Sequence, residues 1–308
     1  MMKIAVFMGG SSPEREVALS SGRAVAEALS ERGHEVTVYD VEWERGNTLF
    51  AAVEICLANR TDVVYLALHG GLGENGGVQG VLEAAGLPYT GSGVTASAVA
   101  MDKNITKQIF VQNDIPTAPW VVVERDDDTL PDIAERIGFP CIVKPVDQGS
   151  TIGLTVAGDG DGLAGAFDEA FVYSSKVMVE SYIPGSELTV PVLGDTPLPV
   201  IEIRPSHEIY DYECKYTPGM TDYLVPAPID EKLTAELQST ARRVFRLLGL
   251  RDIARIDFRL DAGGIPLCFE ANTLPGMTGT SLVPKSARAA GIGFPDLVSR
   301  IAGMALRR

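Results

Sequence analysis

The sequence predicts a mixed α/β protein in which two or three subdomains pack together, with a parallel α/β layer at the N-terminus and antiparallel strands near the C-terminus. Three observations predict it. The chain has 308 residues, more than one hydrophobic core usually serves. Its start, from Lys3 to Leu29, reads as a buried strand, a Gly-rich loop and an amphipathic helix, the opening unit of an α/β layer. Near its end, Arg255 to Leu260 and Leu267 to Asn272 alternate polar and apolar residues on either side of Asp261-Ala262-Gly263-Gly264, which is a hairpin pattern.

Lys3 to Met8 is a continuous apolar strand, and Gly9 to Glu16 turns into a helix carrying Val17, Leu19, Val25 and Leu29. The loop has no Gly-x-Gly-x-x-Gly spacing and no Gly-Lys-Ser/Thr follows anywhere, so neither a dinucleotide fold nor a P-loop is supported. Glu35 to Tyr39 and Asp62 to Leu68 are further strands. The second runs into His69-Gly70-Gly71, at the end of a strand where α/β sheets bind ligands. The Gly and Ser cluster from Pro88 to Gly93 marks a boundary, and Thr95 to Asn113 is a helical pair interrupted near Met101-Asp102-Lys103. Strands are expected around Trp120 to Val123, up to Lys144, at Val177 to Glu180 and at Gly185 to Val190. Tyr210 to Pro226 shows no sustained period and carries Pro-Gly, which reads as a long loop of the kind that forms lids. Glu231 to Leu248 is an amphipathic helix.

The formal charge is -15, from 26 basic and 41 acidic residues, so nucleic acid and anionic membrane surfaces are not expected as partners. The four cysteines are dispersed with no Cys-x-x-Cys pair, which disfavours zinc or disulfide frameworks and fits a reducing cytoplasm. The N-terminal apolar run Ile4 to Met8 is too short for a signal peptide, and no stretch approaches ~20 apolar residues.

Several side chains need an explanation. Strand alternation puts Asp257 on one face of the hairpin's first strand, and Glu270 and Asn272 on one face of its second. That is either a solvated face or a hard-oxygen set suited to Mg²⁺ or Mn²⁺. Lys103 opens a helix, a poor place for a cation unless it is solvated or a phosphate sits there. Lys144 ends an apolar strand and must snorkel or meet an anion. The small, Gly-rich loop Val146 to Gly153 follows it at once. Glu14 is placed as a first-turn acid favoured by the helix dipole.

The run Arg255-Ile256-Asp257 with Glu270-Ala271-Asn272-Thr273-Leu274-Pro275-Gly276-Met277-Thr278 resembles the metal-binding end of the ATP-grasp superfamily, in particular the D-alanine–D-alanine ligases. Further segments match that family in order from Gly9 to Leu282. The resemblance implies an ATP-grasp fold divided at residues 1–100, 101–184 and 185–308. It implies ATP-dependent joining of two D-alanines through an acyl phosphate, for peptidoglycan precursors, by a cytoplasmic homodimer. Asp257, Glu270 and Asn272 would hold two Mg²⁺ or Mn²⁺ ions; Lys103, Lys144 and Lys215 would meet ATP phosphates. Glu180 would contact adenine, and Glu187 would bond the ribose. Glu14 would anchor the first D-alanine's ammonium, with His69 in its pocket, and Ser150 would position the substrate. Tyr216, in a Tyr-x-x-Lys-Tyr lid, would close on Ser150 and Glu14. Arg255 and the N–H of Gly276 would stabilise an oxyanion, and Ser281 and Leu282 would hold the second carboxylate. Glu74 would start a helix or support the pocket, and Asn75 stands where the family usually has Asp. Two rivals stay open: D-lactate or D-serine as second substrate, and a catalytically dead nucleotide-binding regulator.

Overall fold

The computed structural model describes residues 1–44, 46–125, 130–207, 209–217 and 219–307, without the side chains of 130–132, 134, 212 and 216. Strands β1 (Lys3–Gly9), β2 (Glu35–Val41) and β3 (Val63–Leu66) form a parallel sheet ordered β2-β1-β3, joined by helices α1 (Arg15–Glu31) and α2 (Thr48–Ala58). Parallel neighbours need such crossovers, and the central strand is then covered on both faces. Ile4, Ala5, Val6 and Phe7 are accordingly all buried. After β3 come α3 (Gly71–Glu74), α4 (Gly77–Ala85), α5 (Val94–Met101) and α6 (Lys103–Gln112).

The middle of the chain builds β4 (Trp120–Glu124), α7 (Leu130–Ile137), β5 (Cys141–Pro145), β6 (Thr155–Ala157), α8 (Gly160–Ala170) and β7 (Lys176–Ser181). Its four strands form an antiparallel sheet ordered β4-β7-β5-β6. Leu163, Ala166, Phe167 and Ala170 of α8 pack on Val143, Val177 and Val179. Glu180 therefore stands on an interior strand and is no edge charge.

The remainder holds β8 (Glu187–Leu193), β9 (Thr196–Pro197), β10 (Ile201–Pro205), α9 (Tyr212–Tyr216), β11 (Thr221–Leu224), α10 (Glu231–Leu247), β12 (Ile253–Leu260), β13 (Pro266–Asn272), α11 (Leu282–Ala289) and α12 (Phe294–Ala305). The sheet runs β11-β10-β8-β12-β13, with β9 beside β8, so Glu187 is also interior. At the joint into β8, Gly185 has φ +136°, and a Cβ there would stand 1.9 Å from the Leu260 carbonyl oxygen. Only glycine fits that approach.

The stretch from Tyr210 to Pro226, expected as a loop, is partly ordered: Asp211 Oδ1 accepts the Cys214 N–H at 2.8 Å and starts α9, and β11 pairs with β10. The helical turn is too short and the strand too polar to leave a periodic pattern. The hydrophobic cores cross the chain. Ala96, Ala100 and Phe110 pack with Leu237 and Val244 of α10 and with Phe258 of the last sheet, while Leu297, Val298 and Ile301 of α12 join Ile4, Val6 and Val25 under the first.

Candidate active site

Two cavities meet between the sheets. The first, about 110 Å³, has apolar walls that include Ala118, Ile142, Ile183 and Leu267, and five cationic side chains among its lining: Lys103, Lys144, Lys215, Arg255 and Arg259. The second, about 450 Å³, lies between the start of α1, the end of β13 and the start of α11. Gly149, Ser150, Tyr210, Lys215, Arg255 and Glu270 line both. A molecule in one cavity can therefore touch a molecule in the other across this strip.

Lys103 is the first residue of α6. Its Nζ donates to the Gln148 carbonyl at 2.5 Å and stands 3.2 Å from Glu270 Oε1, bringing together the helix start, the loop after β5 and the hairpin. Lys144 Nζ donates to Glu180 Oε2 at 2.6 Å. The other oxygen of Glu180 takes Lys107 Nζ, which also donates to Thr117 at 2.6 Å and lies 5.0 Å from the Trp120 ring centroid. Burial pushes the Glu180 carboxyl up, but Lys144 and Lys107 more than reverse this and bring it to about 2. Each oxygen takes one lysine and keeps a further lone pair, and Glu180 lines the first cavity. Burial pulls Lys215 below the usual lysine range against the opposing pull of Glu270 and Glu187. Burial raises Glu187 to about 7 despite Arg259 and Lys215.

The hairpin register places Asp257 opposite Glu270 and Arg255 opposite Asn272, with an irregularity between Asp257 and Phe258. Phe258 pairs with Cys268, so β13 has one extra residue there, a bulge that re-aims side chains. Phe269 and Glu270 consequently both line the first cavity. Asp257 is buried and accepts from Thr189 at 2.5 Å, from Asn272 Nδ2 at 2.9 Å and from Arg255 Nη2 at 2.7 Å. With Nδ2 turned to Asp257, the Asn272 Oδ1 is left as an acceptor. Burial favours the neutral form of Glu270, but Lys103, Lys144, Lys215 and Arg255 hold its carboxyl below the ordinary value. Two carboxylates, one of them kept ionised by its neighbours, and a carboxamide oxygen are a donor set that fits Mg²⁺ or Mn²⁺.

In the second cavity, Glu14 stands at the N-cap position of α1 without capping it through its side chain and is buried, and its Oε1 accepts the Ser150 hydroxyl. Ser150 and Thr151 have φ of 49° and 60°, a costly conformation for residues with side chains and one that gathers at functional loops. His69 Nδ1 meets the Leu274 carbonyl at 2.9 Å and its Nε2 meets Ser21 Oγ at 3.2 Å. The carbonyl can only accept, so Nδ1 carries the proton and Nε2 accepts from the serine. Burial lowers the His69 pKa, which favours this neutral ring. Both nitrogens are used, so His69 lines the cavity while fastening the 273–277 turn. Glu74 ends α3 and supports the same turn, accepting the N–H groups of Gly70 at 3.1 Å and Leu274 at 3.2 Å. Burial raises its carboxyl to about 7. Asn75 accepts the Gly77 N–H at 3.1 Å, a local turn bond. Gly276 adjoins Ser281, whose hydroxyl accepts the Thr278 N–H at 3.0 Å and which stands at the N-cap of α11. Leu282 is buried against Ile201 and Ile203. Tyr216 closes α9, but its side chain lies outside the described residues.

The sequence reading missed Lys107, Thr189 and Tyr210. Lys107 sits one helical turn after Lys103, on the same face of α6, and that i, i+4 spacing is the signal that could have found it. Thr189 shares the register of Asp257 across β8 and β12. Tyr210, whose hydroxyl meets that of Tyr223 at 2.8 Å, opens the segment read as a lid without being singled out within it.

A family model described as D-ala D-ala ligase C-terminus matches residues 109–302, and one described as D-ala D-ala ligase N-terminus matches residues 43–92. The chain is 47% identical to a D-alanine–D-alanine ligase of Syntrophotalea carbinolica, covering 99% of this chain and 97% of that one. It is 46% identical to one of Gloeobacter violaceus, covering 97% and 98%. It superposes on the crystal structure of the Bacillus anthracis D-alanine–D-alanine ligase complexed with ATP at a TM-score of 0.86, with 35% identity and coverage of 99% of this chain and 97% of that one. Two antiparallel sheets around a cation-lined cavity, behind a parallel layer, are the ATP-grasp arrangement that the sequence resemblance implied.

Proposed function

The chain belongs to the D-alanine–D-alanine ligase family, and from that premise we propose that it joins two D-alanines into D-alanyl-D-alanine at the expense of ATP, for peptidoglycan precursors. The observation that carries this reading is the shared wall of the two cavities, where Ser150, Lys215, Arg255 and Glu270 face both. A carboxylate does not release oxide to an amine. Its oxygen instead attacks the γ-phosphorus of ATP and ADP leaves, giving D-alanyl phosphate. The second D-alanine's nitrogen, having lost a proton, then attacks the acyl carbon, and phosphate leaves with the C–O bonding pair.

Each part of the site has a task in that sequence. The apolar walls of the first cavity take the base and Glu187 takes the ribose hydroxyls. Glu180 contacts the base while keeping Lys144 in place. Lys103, Lys144 and Lys215 lie along the phosphates, where catalysis is mainly positioning and neutralisation of oxygens. Asp257, Glu270 and Asn272 would hold two Mg²⁺ or Mn²⁺ ions, which supply charge neutralisation of the transferring phosphoryl group when bound. Glu14 anchors the first ammonium, with Ser150 beside it. Arg255 and the N–H of Gly276 stabilise the tetrahedral oxyanion. Ser281 and the N–H of Leu282, at the start of α11, bind the second carboxylate. Tyr216, following Lys215, closes over the two amino acids. The three stretches 1–100, 101–184 and 185–308 serve as substrate layer, nucleotide cover and metal-bearing sheet. Among the described residues no helix is long and apolar enough to cross a membrane. We assign the enzyme to the cytoplasm as a homodimer with small-molecule substrates and no nucleic-acid partner.

The test is phosphate release from ATP with D-alanine, D-serine, D-lactate and L-alanine in parallel, with the products identified. D-alanine alone should drive rapid release with D-alanyl-D-alanine as product. Mostly depsipeptide from a D-alanine and D-lactate mixture at neutral pH would move the assignment to the D-lactate ligases. No amino-acid-dependent release would leave a nucleotide-binding regulator.

A further inference from the structure

Among the described residues, one group of His, Cys, Asp and Glu side chains brings three ligand atoms within 4.8 Å of one another: His207, Asp211 and Cys214. It lies outside the strip described above, on the segment between β10 and the end of α9. We propose that these three side chains bind a borderline divalent cation, Zn²⁺ being the occupant their chemistry fits, and that the bound ion ties the start of α9 to the end of β10.

The donors are arranged for this. Asp211 divides its oxygens, Oδ1 taking the Cys214 N–H at 2.8 Å and Oδ2 facing His207 Nδ1 at 2.7 Å. The first bond fixes the carboxylate, and the second, between His207 Nδ1 and Oδ2, is the contact that a bound ion replaces. Cys214 Sγ is buried and lies 3.8 Å from Ser206 Oγ, which in turn lies 3.6 Å from Met220 Sδ. Tetrahedral Zn²⁺ with bonds of about 2.0–2.3 Å holds its ligand atoms roughly 3.3–3.7 Å apart. The present separations, from 2.7 Å to no more than 4.8 Å, bracket that range, so small side-chain rotations suffice. The fourth position goes to water.

An exposed His–Asp pair at i, i+4 is by itself an ordinary helix-start contact. The thiol is what makes the difference, because imidazole with sulfur selects Zn²⁺ over Mg²⁺, whereas the Asp257, Glu270 and Asn272 set has oxygen donors alone. On binding, the Cys214 S–H bond breaks, its electron pair goes to the metal and the proton leaves to solvent. Lys215 follows Cys214 directly and lines both cavities, so an ion here holds the backbone that carries it.

Co²⁺ is the probe, added to the full chain in Mg²⁺-containing buffer. One equivalent should give a near-ultraviolet thiolate-to-Co²⁺ charge-transfer band that Zn²⁺ abolishes by displacement. Oxygen ligands on the hairpin cannot produce that band. Losing even a supporting group costs metal sites about 10–100-fold in affinity, so His207→Ala and Cys214→Ser should each weaken Co²⁺ binding by at least that much. Cys214 is buried and its variant needs a folding check, whereas His207 is exposed and His207→Ala carries the test regardless. Zn²⁺ should also slow tryptic cleavage after Lys215 in the unmodified chain but not in His207→Ala. Absence of the band, or a band and protection unchanged in His207→Ala, would overturn the site.

Discussion

Replacing Glu180 by Gln keeps the shape of the side chain and removes the charge that two buried ammonium groups share. Lys107 is 0% exposed and Lys144 6%, and neither can reach bulk water without moving α6 or β5. The magnitude follows from the carboxyl itself. Burial alone would raise its pKa, yet Lys144 and Lys107 bring it from 4.5 to about 2. At 1.36 kcal/mol per tenfold change in proton affinity, that is worth about 3 kcal/mol. Breaking a buried pair by removing one partner costs about 3–5 kcal/mol, which agrees. Because the folded pKa lies below the unfolded one, this stability is fully present above about pH 4.5 and is lost as pH falls towards about 2. Urea unfolding of Glu180→Gln at neutral pH, followed by the fluorescence of Trp43 and Trp120, should show a loss of about 3 kcal/mol. The Lys107→Met/Glu180→Gln double variant should recover part of it, since one unpaired buried charge is then gone. A loss under about 0.5 kcal/mol, or strict additivity in the cycle, would refute the claim that this triad is the electrostatic centre of the middle sheet.

Two further outcomes test the hairpin and the nucleotide cavity. Glu270→Gln should keep the native circular-dichroism spectrum while turnover falls at least about 100-fold, the cost of removing one preorganised charge contact at a transferring group; near-normal activity at ordinary Mg²⁺ would remove Glu270 from the metal site. Glu187 is raised by burial to about 7, so nucleotide should bind more tightly as pH rises through that value and the carboxylate becomes able to accept two ribose hydroxyls. The same shift lowers stability as pH climbs from about 4.5 to about 7, since the folded state holds that proton more tightly. ATP affinity measured across that range should flatten in Glu187→Gln, and an unchanged pH profile in the variant would count against the ribose role.

Local pattern was enough for much of this molecule. Alternation along Arg255 to Leu260 and Leu267 to Asn272 set the hairpin, because strand geometry alone assigns successive side chains to opposite faces. The helix break at Asp102 left Lys103 at a helix start, where its charge needed solvent or an anion, and the apolar run before Lys144 left it at a strand end where it had to snorkel or meet an anion. What local pattern could not carry was the pairing of groups far apart in the chain. The resemblance gave Glu180 to the base, and nothing along its strand announced that its carboxylate also holds Lys107, 73 residues earlier. His69 lines the second cavity, and only the packed chain shows its nitrogens fastened to Ser21 and Leu274, the latter 205 residues away. The bulge at Phe269 and the order in the 210–226 segment depend on neighbouring strands, β12 and β10, whose register no single stretch encodes. Burial and hydrogen-bond partners are properties of the packed whole, so the chemistry of each side chain was readable in advance and its commitment was decided only when the sheets came together.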